Sequence, residues 1–252
     1  MKVLKVNQIE KIYDGKLPYQ ALKNINFEVE KGEFTAIMGP SGSGKSTLLN
    51  VISTVDSPTS GKVIINDQEP HSMGDDKLAS FRRTELGFIF QDFNLVNTLT
   101  VGENIMLPLT LEGIPINEMK KLTNETAEFL GIGKILNKRV FEISGGQAQR
   151  CAIARAVVHN PSLLLADEPT GNLDSKSVKD VMNLFTELNK KHQSTILMVT
   201  HDAYVASFCD RVLIIKDGML YQELYKNNLQ SVFYQEILNT MAFLGGDDRD
   251  FI

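Results

Sequence analysis

Cysteine is nearly missing from this chain of 252 residues: it has two, Cys151 and Cys209, far apart in the sequence. That is too few for a disulfide framework or a zinc site. Each thiol sits among apolar neighbours and is expected to be buried in a reducing compartment. An excess of positive charge is missing as well. The formal balance is −5, which argues against a protein that works mainly by holding nucleic-acid phosphates and leaves room for no more than a local basic patch. No window approaches ~18 consecutive apolar residues, so nothing is expected to span a bilayer. The first eight residues lack the apolar stretch of a secretory signal. Any service to a membrane is therefore expected to run through a partner. There is no internal repeat and no tract of a single residue type. With 42% hydrophobic and 23% charged residues, the chain has the make-up of one globular domain, or of one domain with a subdomain.

What is present is organised around Gly39-Pro40-Ser41-Gly42-Ser43-Gly44-Lys45-Ser46. An apolar run, residues 34–38, precedes it, and a stretch that reads as a helix follows from Thr47. The spacing G-x-x-x-x-G-K-S between a strand and a helix is that of a phosphate-binding loop. Its glycines let backbone N–H groups curl around an anion, and the helix N-terminus adds partial positive charge. Lys45 is expected to reach the β- and γ-phosphates of a nucleotide, and the Ser46 hydroxyl to ligate Mg²⁺. A merely flexible Gly/Ser loop is the weaker reading, given that context.

Elsewhere the pattern alternates between strand and helix. Leu4, Val6 and Ile9, then Leu22, Ile25, Phe27 and Val29, mark half-buried strands, with Tyr13 between them as a core or rim aromatic. Residues 61–67 read as strand and turn, 78–83 as a short helix, and 86–90 as a buried strand that ends at Gln91, by itself an ordinary loop residue. From 100 to 155 the pattern is helical: Thr100 and Glu103 form an N-terminal cap, Pro108 and Pro115 are expected to interrupt, and 118–130 is amphipathic. This span reads as a helical insertion on an α/β core. Ser144-Gly145-Gly146-Gln147 opens a helix over 148–159; it is a simple cap or a second anion site. The apolar strand 162–166 stops at Asp167 and Glu168, where a sheet that binds ligands at its carboxyl edge would place a Mg²⁺-holding acid and a general base. A turn over 169–174 leads to a helix over 177–190, and the strand 195–200 ends at His201, while His71, His159 and His192 read as loop or helix-surface residues. A hairpin turning at Asp217-Gly218 and an amphipathic helix over 230–243 complete the chain before an acidic end.

Taken in order, these residues resemble the nucleotide-binding subunit of an ATP-binding cassette (ABC) transporter, over roughly residues 2–222. Residues 39–46 match the family's first nucleotide motif, 163–167 its second, Ser144 to Gln147 its signature, Gln91 its glutamine loop, Asn172-Leu173-Asp174 its D-loop and His201 its switch histidine. Tyr13 falls where the family has an adenine-stacking aromatic. Ile143 stands where the signature usually has Leu, and Ala148 replaces a more usual polar residue, an exchange expected to bear on contacts across a dimer. The stretches 87–95 and 166–174 are similar to the group that serves macrolide export, lipoprotein release and peptide-antibiotic resistance; the tail, with 233–237 and 244–246, is similar to the bacitracin-type ATPases.

The resemblance implies an α/β fold: a P-loop NTPase (RecA-like) core with an N-terminal antiparallel β-subdomain and an inserted α-helical subdomain at about 94–158, together 1–225, and a helical tail at 226–252. It implies an ATPase with ATP and Mg²⁺ as ligands. Gly39, Ser41, Gly42, Ser43, Gly44, Lys45, Ser46 and Thr47 would hold the phosphates, with Ser46, Gln91 and Asp167 on the metal and Glu168, His201 and Gln91 in catalysis. Ser144, Gly145, Gly146 and Gln147 would cap the nucleotide of a second copy, and Asp174 would connect the two sites. The implied partners are a second copy and an integral-membrane permease. The implied place is cytoplasmic, on the inner face of the membrane. A lipoprotein-release or cell-division type regulator of a membrane partner, and a soluble ABC ATPase of translation or DNA repair, stay open as alternatives.

Overall fold

The structure is a computed structural model and describes residues 1–245; the acidic stretch 246–252 and the end of the tail lie outside the described residues. Its centre is a six-stranded sheet in the order β5-β6-β7-β3-β8-β9. Here β3 is Phe34–Met38, β5 Leu86–Ile89, β6 Leu163–Asp167, β7 Ile196–Val199, β8 Arg211–Lys216 and β9 Met219–Tyr225. All pairs are parallel except β8 with β9. Continuous apolar runs form these strands because both faces are covered. Alternate residues go to opposite layers: Leu164, Ala166 and Met198 join one core cluster, and Leu163, Leu165 and Leu197 the other. The hairpin β8–β9 turns at Asp217 and Gly218, both at positive φ, as the tight turn between twisted strands requires.

A second, three-stranded antiparallel sheet has the order β2-β1-β4, with β1 at Lys2–Tyr13, β2 at Tyr19–Glu30 and β4 at Ser60–Ile65. The spacing of three between Val6 and Ile9 breaks strict alternation, yet both are buried. The reason is an irregularity: Gln8 adopts a φ of 50°, and the pairing with β2 shifts register between Val6 and Ile9. A bulge returns the strand to its buried face. This sheet packs with helix α1 (Lys45–Ile52) on one face of the central sheet.

The other face carries α3 (Val101–Leu111), α4 (Ile116–Phe129), α5 (Gly145–Val157) and α6 (Ser175–His192). Helix α2 (Asp75–Glu85) extends further at both ends than its apolar pattern suggests. At α3 the expected cap is present as a reciprocal pair, Glu103 N to Thr100 Oγ1 and Thr100 N to Glu103 Oε2. Pro108 does not interrupt: it lies inside α3, whose packing outweighs the one backbone bond that proline removes. Pro115 stands at the N-cap of α4. Helices α5 and α6 begin three and two residues before their expected starts, because Ser144 and Asp174 cap from outside and draw the intervening residues into the first turn. A short α7 (Ala203–Ala206) follows β7, and α8 (Gln230–Gly245) packs against it.

Among the described residues no helix is long and apolar enough to cross a membrane. Both cysteines are buried and free; burial raises the Cys151 thiol pKa to about 12 and that of Cys209 well above its ordinary value.

Candidate functional site

The loop over residues 39–46 leaves β3 at the carboxyl edge of the sheet. Its shape depends on glycine at two points. A Cβ on Gly39, at φ +155°, would lie 2.0 Å from the Ile215 carbonyl oxygen, and one on Gly44, at φ +101°, 2.7 Å from that of Ala21. The outer wall is held by Gly218 N donating to Ser43 O at 3.1 Å and by the Tyr19 hydroxyl donating to Gly42 O at 3.4 Å. Helix α1 starts at Lys45, earlier than the apolar pattern indicates, so Lys45, Ser46 and Thr47 form its first turn, whose N–H groups have no helical acceptor. Ser46 is exposed, Ser43 buried and Ser41 exposed. Lys45 Nζ donates to Gly39 O at 3.0 Å and Pro40 O at 2.8 Å. Burial lowers its pKa, against the opposing pull of Glu168 and Asp167.

That pull arises because β6 delivers both acids to the same edge. Burial, then the Glu168 charge, raise the Asp167 pKa, with Lys45 opposing. Glu168 turns the chain sharply: its φ is 43°, its N–H donates to Val199 O at 3.0 Å, and its carbonyl accepts from Gly171 N at 3.0 Å. A left-handed conformation at a non-glycine residue costs about 1–2 kcal/mol and here aims the carboxylate at the next strand. Glu168 Oε2 lies 3.1 Å from His201 Nδ1, just past the end of β7. Of the other histidines, His71 and His159 bond the carbonyls of Val51 and Leu86, and burial lowers both pKa values; His192 packs edge-on against Phe129.

Gln91 leaves β5 beside these groups. Its Nε2 would lie 3.1 Å from a Cβ on Gly171, and its carbonyl accepts from Asn172 Nδ2 at 3.1 Å, which also reaches Asp92 Oδ1 at 2.9 Å. The segment after Gln91 is held by a residue that the motifs do not single out. Arg155, on α5, donates to the carbonyls of Phe93 and Asn94 at 2.8 and 2.6 Å; it sits in the helical run with no local signal of that role. Asp174 caps α6, accepting from Lys176 N, Ser177 N and Ser177 Oγ, and the Ser177 bonds lower its pKa. Tyr13 ends β1 with 40% exposure. Its hydroxyl donates to Asp56 Oδ2 at 2.9 Å, and Lys11 Nζ lies 4.8 Å from the ring centroid. Asp56 has no motif to announce it either.

The turn Ser144 to Gln147 lies against α6, where a Cβ on Gly146 would be 3.4 Å from Ser177 Oγ. Gln147 N donates to Ser144 Oγ at 3.3 Å, and Ser144 N to Gln147 Oε1 at 3.0 Å, a reciprocal cap. Ser144 and Gly145 are exposed, and a Cβ on Gly145 would meet nothing within 4 Å. Two cavities border the other motifs: one of about 460 Å³ along Pro40, Ser41, Gly42 and Ser43, and one of about 230 Å³ at Glu168, Gly171 and His201. Neither is lined by a residue of this turn. Ala148, the exchanged position after the signature glutamine, is 6% exposed.

The family described as ABC transporter matches residues 22–171. The chain is 58% identical, over 98% of its length and 96% of the relative's, to the ABC transporter ATP-binding protein YxdL of Bacillus subtilis. It is 48% identical, over 99% of its length and 100% of the relative's, to the bacitracin export ATP-binding protein BceA of Halalkalibacterium halodurans. A dimeric structure of the ATP-binding cassette MJ0796 bound to ADP and Pi, a protein of Methanocaldococcus jannaschii, superposes with a TM-score of 0.82 at 41% identity, covering 90% of this chain and 100% of that one. Family match, near-complete coverage by relatives and a common fold give one result: this chain belongs to the ABC transporter family, as one of its ATPase subunits.

Proposed function

We propose that this chain hydrolyses Mg²⁺-ATP to drive a membrane permease of peptide-antibiotic resistance, working as a head-to-tail pair of copies on the cytoplasmic face of the membrane. The similarity to the bacitracin export ATP-binding protein over the whole chain supports the subgroup. The observation that carries the chemistry is the meeting of Lys45, Asp167, Glu168 and His201 at one sheet edge.

In this reading the N–H groups of the 39–46 loop, with Lys45, bind the β- and γ-phosphates, and Tyr13 stacks on adenine. Glu168 takes the proton of a water that attacks the γ-phosphorus, while the bond to the bridging oxygen breaks and ADP departs with that electron pair. His201 Nδ1–H orients the Glu168 carboxylate. The Asp167 carboxylate fits a hard cation, being half-buried and destabilised by burial and by Glu168; Ser46 and Gln91 would add neutral oxygens. No three or more His, Cys, Asp or Glu among the described residues form a metal cluster, so phosphate oxygens would complete the shell. Bound there, Mg²⁺ supplies neutralisation of phosphate charge.

The Ser144 to Gln147 turn, exposed at Ser144 and Gly145 and outside both bordering cavities, is free to close a partner copy's nucleotide, with Asp174 and its capped helix near the junction. A groove of about 280 Å³ lined by Arg82, Phe88, Phe90, Leu107 and Leu111, next to Gln91, is suited to an inserted permease helix. The test is Glu168→Gln. Turnover should fall by about 10³-fold with ATP binding kept, and the chain should elute as a dimer with ATP and as a monomer with ADP. Normal turnover by this variant, or a monomer under ATP, overturns the scheme.

A further inference from the structure

Helix α8 lies outside the nucleotide-site motifs described above, yet it packs on the helix that follows His201 and reaches a cavity bordering the phosphate loop. At its amino end Gln230 Nε2 donates to Ser207 Oγ at 3.0 Å, and the Tyr234 ring stands edge-on to Tyr204 with centroids 6.4 Å apart. Both partners belong to α7 and its C-cap, the helix that begins two residues after His201 and is capped by Asp202, which accepts from Tyr204 N at 2.7 Å. Along its middle, Phe233 and Ile237 are 1% and 0% exposed in the same core as Ala203, Val205 and Ala206. At its carboxyl end Leu244, 5% exposed, lines the cavity of about 460 Å³ along the outer wall of the phosphate loop, with Pro40, Ser41, Gly42 and Ser43. Sixteen residues of helix span about 24 Å, so one rigid element connects the two.

We propose that α8 is a brace for the nucleotide site, and that Leu244 is a positioning residue that holds the phosphate loop in its anion-binding shape. A loop binds an anion well when its N–H groups already converge. Every alternative shape it can visit lowers the competent fraction and weakens apparent affinity in proportion. An apolar side chain, buried at the end of a helix that is itself anchored in the core, removes such alternatives from the outer wall. The inference rests on the phosphate-loop reading and deepens it.

The experiment is calorimetric titration of the full chain with Mg²⁺-ATP. Leu244→Asp is expected to weaken binding about fivefold, and Leu244→Met to restore it to within about twofold. Phe243→Ala, at the neighbouring and 67% exposed position, should match the parent. Should Leu244→Asp fail to fold, Leu244→Ala carries the test with a loss of about threefold. Parental affinity in both the Asp and Ala variants overturns the brace, and so does an equal loss in Phe243→Ala, which would assign the effect to the helix as a whole. Lys45→Ala, titrated beside them, keeps the two readings separate. If it too binds like the parent, the phosphate-loop assignment fails; if it alone loses ATP, only the brace does.

Discussion

At the amino edge of the parallel sheet Arg211 is buried between two carboxylates: Nε lies 2.7 Å from Glu33 Oε1 as an ion pair without hydrogen-bond geometry, Nη1 donates to Glu223 Oε2 at 2.9 Å, and Nη2 donates to the Glu28 carbonyl. At the carboxyl edge Lys45 donates to two loop carbonyls, and Asp167 adjoins a second carboxylate. The pKa directions separate the two edges. Burial alone would lower that of Arg211, but Glu33, Tyr225 and Glu223 outweigh it and raise it. For Lys45 and Asp167 burial prevails, and both are pushed toward neutrality. One edge is built so that its charges suit the folded chain; the other holds charges that a polyanion and a cation would satisfy. Cavity size does not tell them apart. The amino edge has a cavity of about 780 Å³, larger than the one beside the phosphate loop and the one at Glu168 and His201.

The contrast can be broken most directly at Arg211. Arg211→Ala strands two carboxylates and should cost about 3 kcal/mol, seen as a melting temperature lower by roughly 6–12 °C, while ATP affinity stays within about twofold of the parent. A loss of ATP affinity as large as the loss of stability would merge the two edges into one unit. Next in size, Lys45→Ala should weaken ATP binding by about 100-fold or more, near 2.7 kcal/mol, with no drop in melting temperature, since the folded chain already disfavours that charge. Calorimetry and thermal denaturation of the same sample check both halves.

The smallest effect sharpens the sign. The Asp167 pKa is raised on folding, so its contribution favours the fold while it is protonated and is lost as pH rises through that raised value. Asp167→Asn should therefore melt about 2 °C higher than the parent near pH 7 without nucleotide. The gain should shrink as pH falls from that raised value to the ordinary carboxylate range, below which both chains are neutral at this position. A variant less stable than the parent at neutral pH would mean that the carboxylate is satisfied in the folded chain after all.

Much of this was legible in the residues because the relevant signals are local. The strand 163–167 announced itself as an apolar run ending in acids, and a strand buried on both faces needs nothing else. The Thr100–Glu103 cap and the Asp217-Gly218 turn are set within four residues of chain. Strict period-two reading was strained at Gln8, where a bulge restores the buried face, and at Pro108, where tertiary packing overrode a helix breaker. Arg155, Asp56 and Arg211 escaped notice because their partners are 61, 43 and 178 residues away or more than one strand distant, and no spacing rule reaches that far.

The sequence by itself determined the chemistry available: a loop that bares N–H groups, a lysine, two strand-end acids and a histidine, each specified by its immediate neighbours. Tertiary structure decided which of these face one another. It joined Glu168 to His201 across β6 and β7, kept the Ser144 to Gln147 turn out of the lining of the cavities at the phosphate loop and at His201, and set Leu244 in the wall of the cavity along that loop. The physical reason is range. Backbone conformation answers to residues a few positions apart, whereas burial and pairing of charge depend on whatever the packed sheet brings alongside.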